Sequence, residues 1–258
     1  MTVYSPPSDL LAERCVLVTG AGDGIGRAAA LAYARHGANV VLLGRTRAKL
    51  EAVFDHIAKE TKTRPTIVPA DLQHLGEDSA SALREGIERD YGRLDGILHN
   101  ASLLGPRNPV EHYPATDWHA VMQVNVNAAF LLTRALLPLL NQSQDASVIL
   151  TSSGVGRRGR AYWGAYAVAK FATEGLMEVL ADECAHAGRV RVNSLNPGGT
   201  RTAMRAAAYP TEDPATLPIA ESHMPLYLYL MGPDSKGVTG QRFDAKAWQV
   251  VTRACPSA

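Results

Sequence analysis

The sequence feature that most constrains the fold lies in residues 15–35. Here a strand-like run, a glycine turn and a helical run follow one another directly. Cys15–Thr19 is short and apolar, and the alanine-rich run Arg27–Ala34 predicts a helix. Between them, glycines permit a tight turn that lets a pyrophosphate approach the amides at the positive end of the helix dipole. The strand before and the helix after are the context that such a turn requires. The loop residues predicted to contact the pyrophosphate are Gly20, Asp23, Gly24, Ile25 and Gly26.

Apolar strand-like runs alternate with amphipathic helical runs along the rest of the chain. This alternation predicts βαβ units and therefore an α/β fold, a single-domain Rossmann fold with a doubly wound, mostly parallel sheet of about seven strands and helices on both faces. No repeat or linker divides the 258 residues, so residues 1–258 are expected to form one domain, with residues 1–10 as an N-terminal arm. The further predicted strands are Val40–Leu43, Thr66–Pro69, Gly96–His99, Ser147–Thr151 and Arg189–Leu195.

Tyr166 and Lys170 stand four residues apart in a predicted helix, with Ser153 thirteen residues before the tyrosine. Residues at this spacing share a helix face, so the ammonium is expected to favour the ionised phenol. Such a tyrosine can exchange a proton near neutral pH, and Ser153 can hydrogen-bond the same substrate oxygen. A tyrosine and a lysine at this spacing are also common on solvated helix faces, so the pair alone is weak evidence.

The combination of these motifs resembles the short-chain dehydrogenase/reductase family over nearly the whole chain. Within the family, the segments 23–27, 122–127 and 196–204 look most like the bacterial YciK-type reductases. The resemblance implies an oxidoreductase that transfers hydride between a nicotinamide and a carbonyl or secondary alcohol. It rests on Thr19, Gly20, Gly24, Gly26, Asn100, Ala101, Asn125, Ser153, Tyr166, Lys170, Pro197 and Gly198.

The resemblance also implies a role for each matching residue. Tyr166 is expected to act as general acid or base, Ser153 to hold the substrate oxygen and Lys170 to bind the nicotinamide ribose. Asn125 is expected to hold a water beside the lysine. His99 and Ser102 depart from the family's Asn-Asn-Ala-Gly motif, and we expect His99 to be a packed, hydrogen-bonded residue. The other implied cofactor contacts are Asp71, Leu72, Asn100, Ala101, Tyr166, Lys170, Pro197, Gly198, Thr200 and Thr202.

The end of the second predicted strand favours NADP(H) over NAD(H). Gly44 stands where an acidic residue would bind the adenosine ribose and repel a 2'-phosphate, and Arg45 follows it directly. A guanidinium can pair with that phosphate and stack on adenine. NAD(H) remains possible, because Arg45 is also an acceptable surface residue and Asp23 places negative charge in the glycine loop.

The substrate is less well defined by the sequence. Residues 203–224 carry three prolines without clear periodicity, which suits a substrate lid, assigned to residues 203–225, or a surface loop. Arg157 and Arg201 flank the predicted site and are expected to contact an anionic carbonyl compound, unless they lie at the surface or in a subunit interface. A 3-oxoacyl-thioester (acyl-carrier-protein) reductase is the alternative enzyme. The non-enzyme alternative is a nucleotide-binding regulatory protein without turnover.

Composition and charge limit the partners. The net charge of +1 gives no indication of nucleic acid or of an anionic membrane surface. The most apolar helical run, Ala128–Leu140, is short for a membrane span and includes Arg134 and Pro138. Family relatives assemble through the helices bearing Asn125 and Tyr166, so a homodimer or homotetramer is expected.

Cysteine usage and the N-terminus favour a cytoplasmic protein. Three scattered cysteines, Cys15, Cys184 and Cys255, predict buried structural thiols with neither a disulfide framework nor a metal site. Residues 1–9 lack the basic and apolar segments of a signal peptide.

Overall fold

A seven-stranded, all-parallel sheet organises the chain, as shown by a computed structural model that describes residues 4–248. The strand order β3-β2-β1-β4-β5-β6-β7 confirms the predicted doubly wound α/β fold. The strands are β1 Cys15–Thr19, β2 Asn39–Gly44, β3 Thr66–Pro69, β4 Gly96–His99, β5 Ala146–Thr151, β6 Val190–Asn196 and β7 Arg242–Asp244. The helices are α1 Gly24–Arg35, α2 Arg47–Glu60, α3 Glu77–Tyr91, α4 Ala115–Met122, α5 Ala128–Leu140, α6 Gly164–Ala185, α7 Ala203–Ala208 and α8 Met224–Met231.

Helices cover both faces of the sheet, and alternate strand residues feed two cores. Val16 and Val18 of β1 join one core with α1 and α8, whereas Leu17 joins the other with α3, α5 and α6. All three side chains are fully buried. Burial on both faces explains why the strands are continuous apolar runs rather than alternating ones.

The strand order reverses between β1 and β4, and this position determines where a ligand can bind. The chain leaves β1 toward β2 on one side and returns through β4 on the other, so the loops after these strands separate. In doubly wound sheets the resulting crevice at the carboxyl ends of the strands receives the ligand. The glycine loop follows β1 and the Asn100–Ala101 pair follows β4, so both predicted motifs lie at this crevice.

In the glycine loop, the backbone at the end of β1 packs unusually close to the first turn of α1. A Cβ on Gly26 would lie 2.2 Å from the Gly20 carbonyl oxygen and 2.6 Å from Asn100 Nδ2. Gly20 adopts φ +68°, which L side chains rarely adopt. Asp23 caps α1, because its Oδ1 accepts a hydrogen bond of 2.7 Å from the Gly24 amide.

The apolar helix predicted over 128–140 is part of a longer helical stretch. A π-helical turn, Gln123–Asn127, joins α4 to α5, so helix extends over Ala115–Leu140. By length and composition alone this stretch is apolar enough to cross a membrane, which corrects the expectation that it is too short. The same length and composition occur in core helices of soluble proteins, and α5 packs against α3 here.

The N-terminal arm is docked from residue 4 onward. The Tyr4 hydroxyl donates a hydrogen bond of 2.6 Å to Asp234, and its ring packs edge-on against Tyr229. Leu10 and Leu11 are buried in the core. Residues 1–3 of the predicted arm lie outside the described residues.

The cysteines in the described range are free and buried, as predicted for Cys15 and Cys184. Burial raises the pKa of both thiols, which makes them poor nucleophiles. Cys255 lies outside the described residues. Between residues 4 and 248, no group of three or more histidine, cysteine, aspartate or glutamate side chains could hold a metal ion.

The close approach at Gly26 predicts a large effect of a single methyl group. We expect Gly26→Ala to lower the free energy of unfolding by about 1–3 kcal/mol or more, because the new Cβ overlaps the Gly20 carbonyl. Urea denaturation followed by circular dichroism measures this change. Gly86→Ala is the control, since a Cβ at that position in α3 would meet only the Arg89 side chain, at 3.9 Å, and alanine favours a helix. Equal stability of the two variants would contradict the packing argument.

Candidate active site

A cleft of about 310 Å³ opens at the carboxyl ends of the central strands and contains most of the predicted site residues. The loops after β1, β4, β5 and β6 supply its walls, and the first two turns of α6 supply its floor. It therefore unites motifs that are far apart in the sequence. The predicted residues that line it are Gly20, Asp23, Gly24, Ile25, Asn100, Ala101, Ser153, Tyr166, Lys170, Pro197, Gly198, Thr200 and Thr202.

A second cleft of about 390 Å³ continues from the first across the glycine loop. Arg45, Asp71 and Leu72 line it, as predicted for the adenosine end of a dinucleotide. The structure adds Lys49 from the first turn of α2, which sequence reasoning missed. Its Nζ forms an ion pair of 2.5 Å with Asp23. The indication in the sequence was its position in the first helical turn after Arg45, where a side chain can reach back to the loop.

Tyr166 and Lys170 lie on the buried face of α6, with 8% and 3% of their surfaces exposed. Lys170 Nζ donates a hydrogen bond of 2.7 Å to the Thr151 carbonyl oxygen and lies 5.5 Å from the centre of the Tyr166 ring. Thr151 ends β5, and Ser153 follows it on the cleft wall. The end of one strand and one helix face thus bring the three predicted groups together.

The electrostatics of the pair differ from the sequence-based expectation. Burial raises the pKa of Tyr166 above its usual value, although a hydrogen bond with Ser153 opposes that shift. The Lys170 amine donates its hydrogen bond to the Thr151 carbonyl and not to the phenol, and the net shift of the Tyr166 pKa is upward. Burial also lowers the pKa of Lys170 to about 8, while the negative charge of Glu174 acts in the opposite direction.

Glu174 is a buried carboxylate that sequence reasoning missed. It stands four residues after Lys170 on α6, and only 3% of its surface is exposed. Its oxygens accept hydrogen bonds from Ser152 and from Ser194 of β6, the latter at 2.6 Å. Ser152 also lines the cleft, but its hydroxyl donates to Glu174, whereas Ser153 is the serine that hydrogen-bonds Tyr166. The indication in the sequence was an acid on the helix face that already carries Tyr166 and Lys170.

Asn125 lies in the π-helical turn between α4 and α5, a feature frequent at functional sites. Its amide pairs with the Leu103 backbone at 2.7 and 2.9 Å. Asn125 also bounds an internal cavity of about 10 Å³ together with Lys170 and His99, which is near the space that one water needs. His99 is packed as predicted, because its Nε2 lies 2.8 Å from the Thr133 hydroxyl.

The loop after β6 closes one side of the cleft. Gly198 adopts φ +72°, and the Thr202 side chain caps α7 by accepting from the Arg205 amide. Thr200 forms a hydrogen bond of 3.0 Å with His223. The predicted lid, residues 203–225, consists of α7, two short 3₁₀ turns and the start of α8. Its α7 end lines the cleft through Ala203, Met204, Arg205 and Ala208.

The two arginines predicted to contact substrate lie elsewhere, which corrects that expectation. Arg157 pairs with Asp244 and Glu174 behind the cleft, because these buried or half-buried carboxylates need a counter-charge. Arg201 is exposed and donates to three carbonyls of the 214–217 segment, including Pro214 at 2.8 Å. Neither side chain lines the cleft.

Comparisons with known proteins agree with this geometry. The family model for short chain dehydrogenase matches residues 14–213. The uncharacterized oxidoreductase YciK of Escherichia coli K12 is 56% identical over 243 residues, which cover 94% of this chain and 96% of that protein.

Two solved structures of similar proteins contain a nicotinamide cofactor. A short chain dehydrogenase of Shigella flexneri 2a complexed with NADP has a TM-score of 0.90 at 55% identity, covering 93% of this chain and 100% of that one. A short chain dehydrogenase of E. coli CFT073 complexed with NADPH has a TM-score of 0.91 at 56% identity, with the same coverage.

The proximity of Glu174 to Lys170 predicts the effect of removing one negative charge. We expect Glu174→Gln to lower the pKa of Lys170 further below about 8, because the carboxylate favours the ammonium form. Nuclear magnetic resonance of protein labelled at lysine Cε measures this pKa directly, with Lys170→Arg assigning the signal. Glu178→Gln, one turn later on the exposed face of α6, is the control. An unchanged Lys170 titration in Glu174→Gln would disprove the coupling.

Proposed function

This chain belongs to the short-chain dehydrogenase family, and we propose that it reduces a carbonyl compound with NADP(H), using Tyr166 as general acid. The family establishes an oxidoreductase that acts on CH–OH or C=O groups of a small molecule with a nicotinamide cofactor. The observation that carries the proposal is the meeting of Ser153, Tyr166 and Lys170 with the glycine loop in one cleft.

The two clefts fit an extended dinucleotide. Gly26 packs directly against the Gly20 carbonyl, so the first residues of α1, Gly24 and Ile25, line the cleft and can offer their amides to a pyrophosphate. The clefts share Gly20, Asp23 and Ala101, which gives one continuous site for a nicotinamide end and an adenosine end. When bound, the reduced nicotinamide supplies the hydride.

The chain's own residues supply the proton and the orientation. The Ser153 hydroxyl holds the carbonyl oxygen, and the Tyr166 phenol gives it a proton as the alkoxide forms. Lys170 binds the ribose hydroxyls and contributes positive charge beside the phenol. Asn125 keeps the small cavity behind Lys170 open to a water that resupplies protons. Alcohol oxidation reverses these roles.

Arg45 and Lys49 support NADP(H) as the preferred cofactor. Both line the adenosine cleft beside Gly44, and no acidic side chain occupies the end of β2. Arg45 has no carboxylate partner among the described residues and can pair with a 2'-phosphate, while Lys49, already paired with Asp23, lies beside it. The NADP and NADPH bound to two similar structures agree with this preference, and NAD(H) would bind more weakly.

The alternatives predict different substrates or no turnover. A 3-oxoacyl-thioester reductase would use the same catalytic residues, so only a substrate panel separates it from a reductase of small ketones. A regulatory nucleotide-binding protein is disfavoured, because Ser153, Tyr166 and Lys170 are all present in the cleft.

Apolar side chains on α5 and α6 support a homo-oligomer. Phe130 of α5 and Val168, Phe171 and Val179 of α6 expose between 44% and 56% of their surfaces. Several large apolar side chains exposed on two helices are typical of an interface between copies. Either a dimer or a tetramer could bury these side chains. A cytoplasmic location is proposed with it, since Cys15 and Cys184 are free thiols.

Turnover and cofactor binding can be separated with Tyr166→Phe. We expect wild type and variant to bind NADPH alike by fluorescence titration, while the variant loses about 10²–10⁴-fold in carbonyl reduction because the proton donor is missing. The panel includes small ketones, oxo acids and a 3-oxoacyl thioester, each followed by NADPH oxidation. Absence of NADPH binding by both proteins would refute the oxidoreductase proposal, and equal turnover would remove Tyr166 from its role.

Cofactor preference can be tested at Arg45. We expect Arg45→Ala to weaken NADPH binding by about tenfold, since one hydrogen-bonded charge contact is lost, and to leave NADH binding nearly unchanged. Lys59→Ala, at the exposed far end of α2, is the control. Equal effects on the two cofactors would show that Arg45 does not contact the 2'-phosphate.

Assembly can be tested at Phe171. We expect Phe171→Glu to shift the mass measured by light scattering toward the monomer, because a charge would be buried between apolar helices. Phe130→Glu should have the same effect. Wild-type protein that is already monomeric at micromolar concentration would contradict the oligomer.

A further inference from the structure

An open groove of about 520 Å³ lies beside the catalytic cleft. It shares Leu104 and Ala208 with the cleft, so these two side chains form the boundary between them. A ligand longer than the cleft can pass this boundary into the groove. The remaining lining residues are Gly105, Pro106, Arg107, Tyr162, Ala207 and Pro210.

Arg107 lies at this boundary, and most of its N–H groups have no hydrogen-bond partner among the described residues. Its Nη1 donates a hydrogen bond to the Ala208 carbonyl, and its guanidinium carbon lies 4.9 Å from the centre of the Trp163 ring. Within residues 4–248, the guanidinium has no other hydrogen-bond partner and no carboxylate partner, although arginine has five N–H groups. Trp163 packs 5.8 Å from the Tyr166 ring. The Trp163 ring therefore lies between Tyr166 and the Arg107 guanidinium, which has N–H groups left without a partner.

The surroundings of Arg107 carry excess positive charge. Tyr209 lies against Arg107 at 5.2 Å and against Arg205 at 3.8 Å, and its hydroxyl accepts from Arg160. Glu212 neutralises Arg205 through two hydrogen bonds of 2.6 Å. None of the described residues that line the groove is acidic. A negatively charged ligand group would therefore be favoured here.

Tyr162 lines the groove in a strained backbone conformation. Its φ of +69° is unusual for a bulky residue, and 55% of its surface is exposed. Such strain is typical of ligand clamps, where position matters more than local stability. The backbone thus keeps an exposed aromatic ring in the groove that Arg107 also lines.

We propose that the groove binds the anionic end of the substrate while the carbonyl lies at Ser153 and Tyr166. The substrate class is then an elongated oxo acid, with an apolar stem passing Leu104 and Ala208 and a carboxylate paired with Arg107. This inference rests on the proposed carbonyl reduction and assigns its substrate. Arg107 would then bind the anion in place of Arg157 and Arg201, whose side chains are bonded to other protein groups. No pattern in the sequence indicated Arg107.

The test compares charged and neutral substrates of the same shape. A series of methyl-ketone carboxylic acids of increasing chain length is assayed beside the matching methyl esters, as kcat/KM with NADPH. We expect wild type to prefer the longer acids over their esters by about tenfold or more. Arg107→Ala should remove that preference by lowering kcat/KM for the acids alone. Arg158→Ala, which removes an exposed charge from the neighbouring loop outside the groove, should retain it.

Several outcomes would overturn the inference. Equal losses for acids and esters in Arg107→Ala would mean that Arg107 only holds the Ala208 segment in place. A wild type without preference for acids would also overturn it. Calorimetric titration of the enzyme–NADP⁺ complex with the same acids gives a readout without turnover, and failure to bind them would refute the site. Reduction of neutral ketones alone would refute the anion-binding groove and leave the proposed carbonyl reduction intact. Absence of NADPH binding would refute both the groove and the carbonyl reduction.

Discussion

The buried ammonium of Lys170 is the constraint on which much of the site depends. Removing a charge from water is costly, so the fold must surround it with fixed partners. The Thr151 carbonyl accepts its hydrogen bond, and Glu174 supplies negative charge one turn away. Glu174 in turn needs Ser152, Ser194 and two arginines, Arg157 and Arg242, so satisfying one lysine connects β5, β6, β7 and α6.

The cofactor clefts depend on a different constraint, the close packing of backbone around the glycine loop. Because Gly26 touches the Gly20 carbonyl, α1 begins directly against the end of β1 and its free amides face the crevice. The loop after β4 then lies beside it, since β4 is the neighbour of β1 in the sheet. Strand order therefore brings the glycine loop and Lys170 to the same cleft.

The predictions from sequence succeeded where residue type and periodicity carry the information. The first six strands were placed within a few residues, because parallel strands buried on both faces are continuous apolar runs. The predictions were less successful where long-range pairing decides the outcome. Arg157 seemed available for substrate until the structure placed Asp244 and Glu174 against it. The helix over 128–140 continued upstream because a π-helical turn, which has no simple sequence pattern, joined α5 to α4.

The sequence by itself determined the α/β class, the glycine loop and the Ser153, Tyr166 and Lys170 set, because each follows from local spacing and from what those residue types can do. Only the tertiary structure decided which charges remain free. Ion pairs form between residues that are distant in the chain, and burial sets their pKa values, so neither can be inferred from neighbours in sequence. Local spacing gave an indication of Lys49 and Glu174, but their partners Asp23, Ser194 and Arg242 are distant in the chain. The position of Arg107 against Trp163 and Ala208 follows from packing alone.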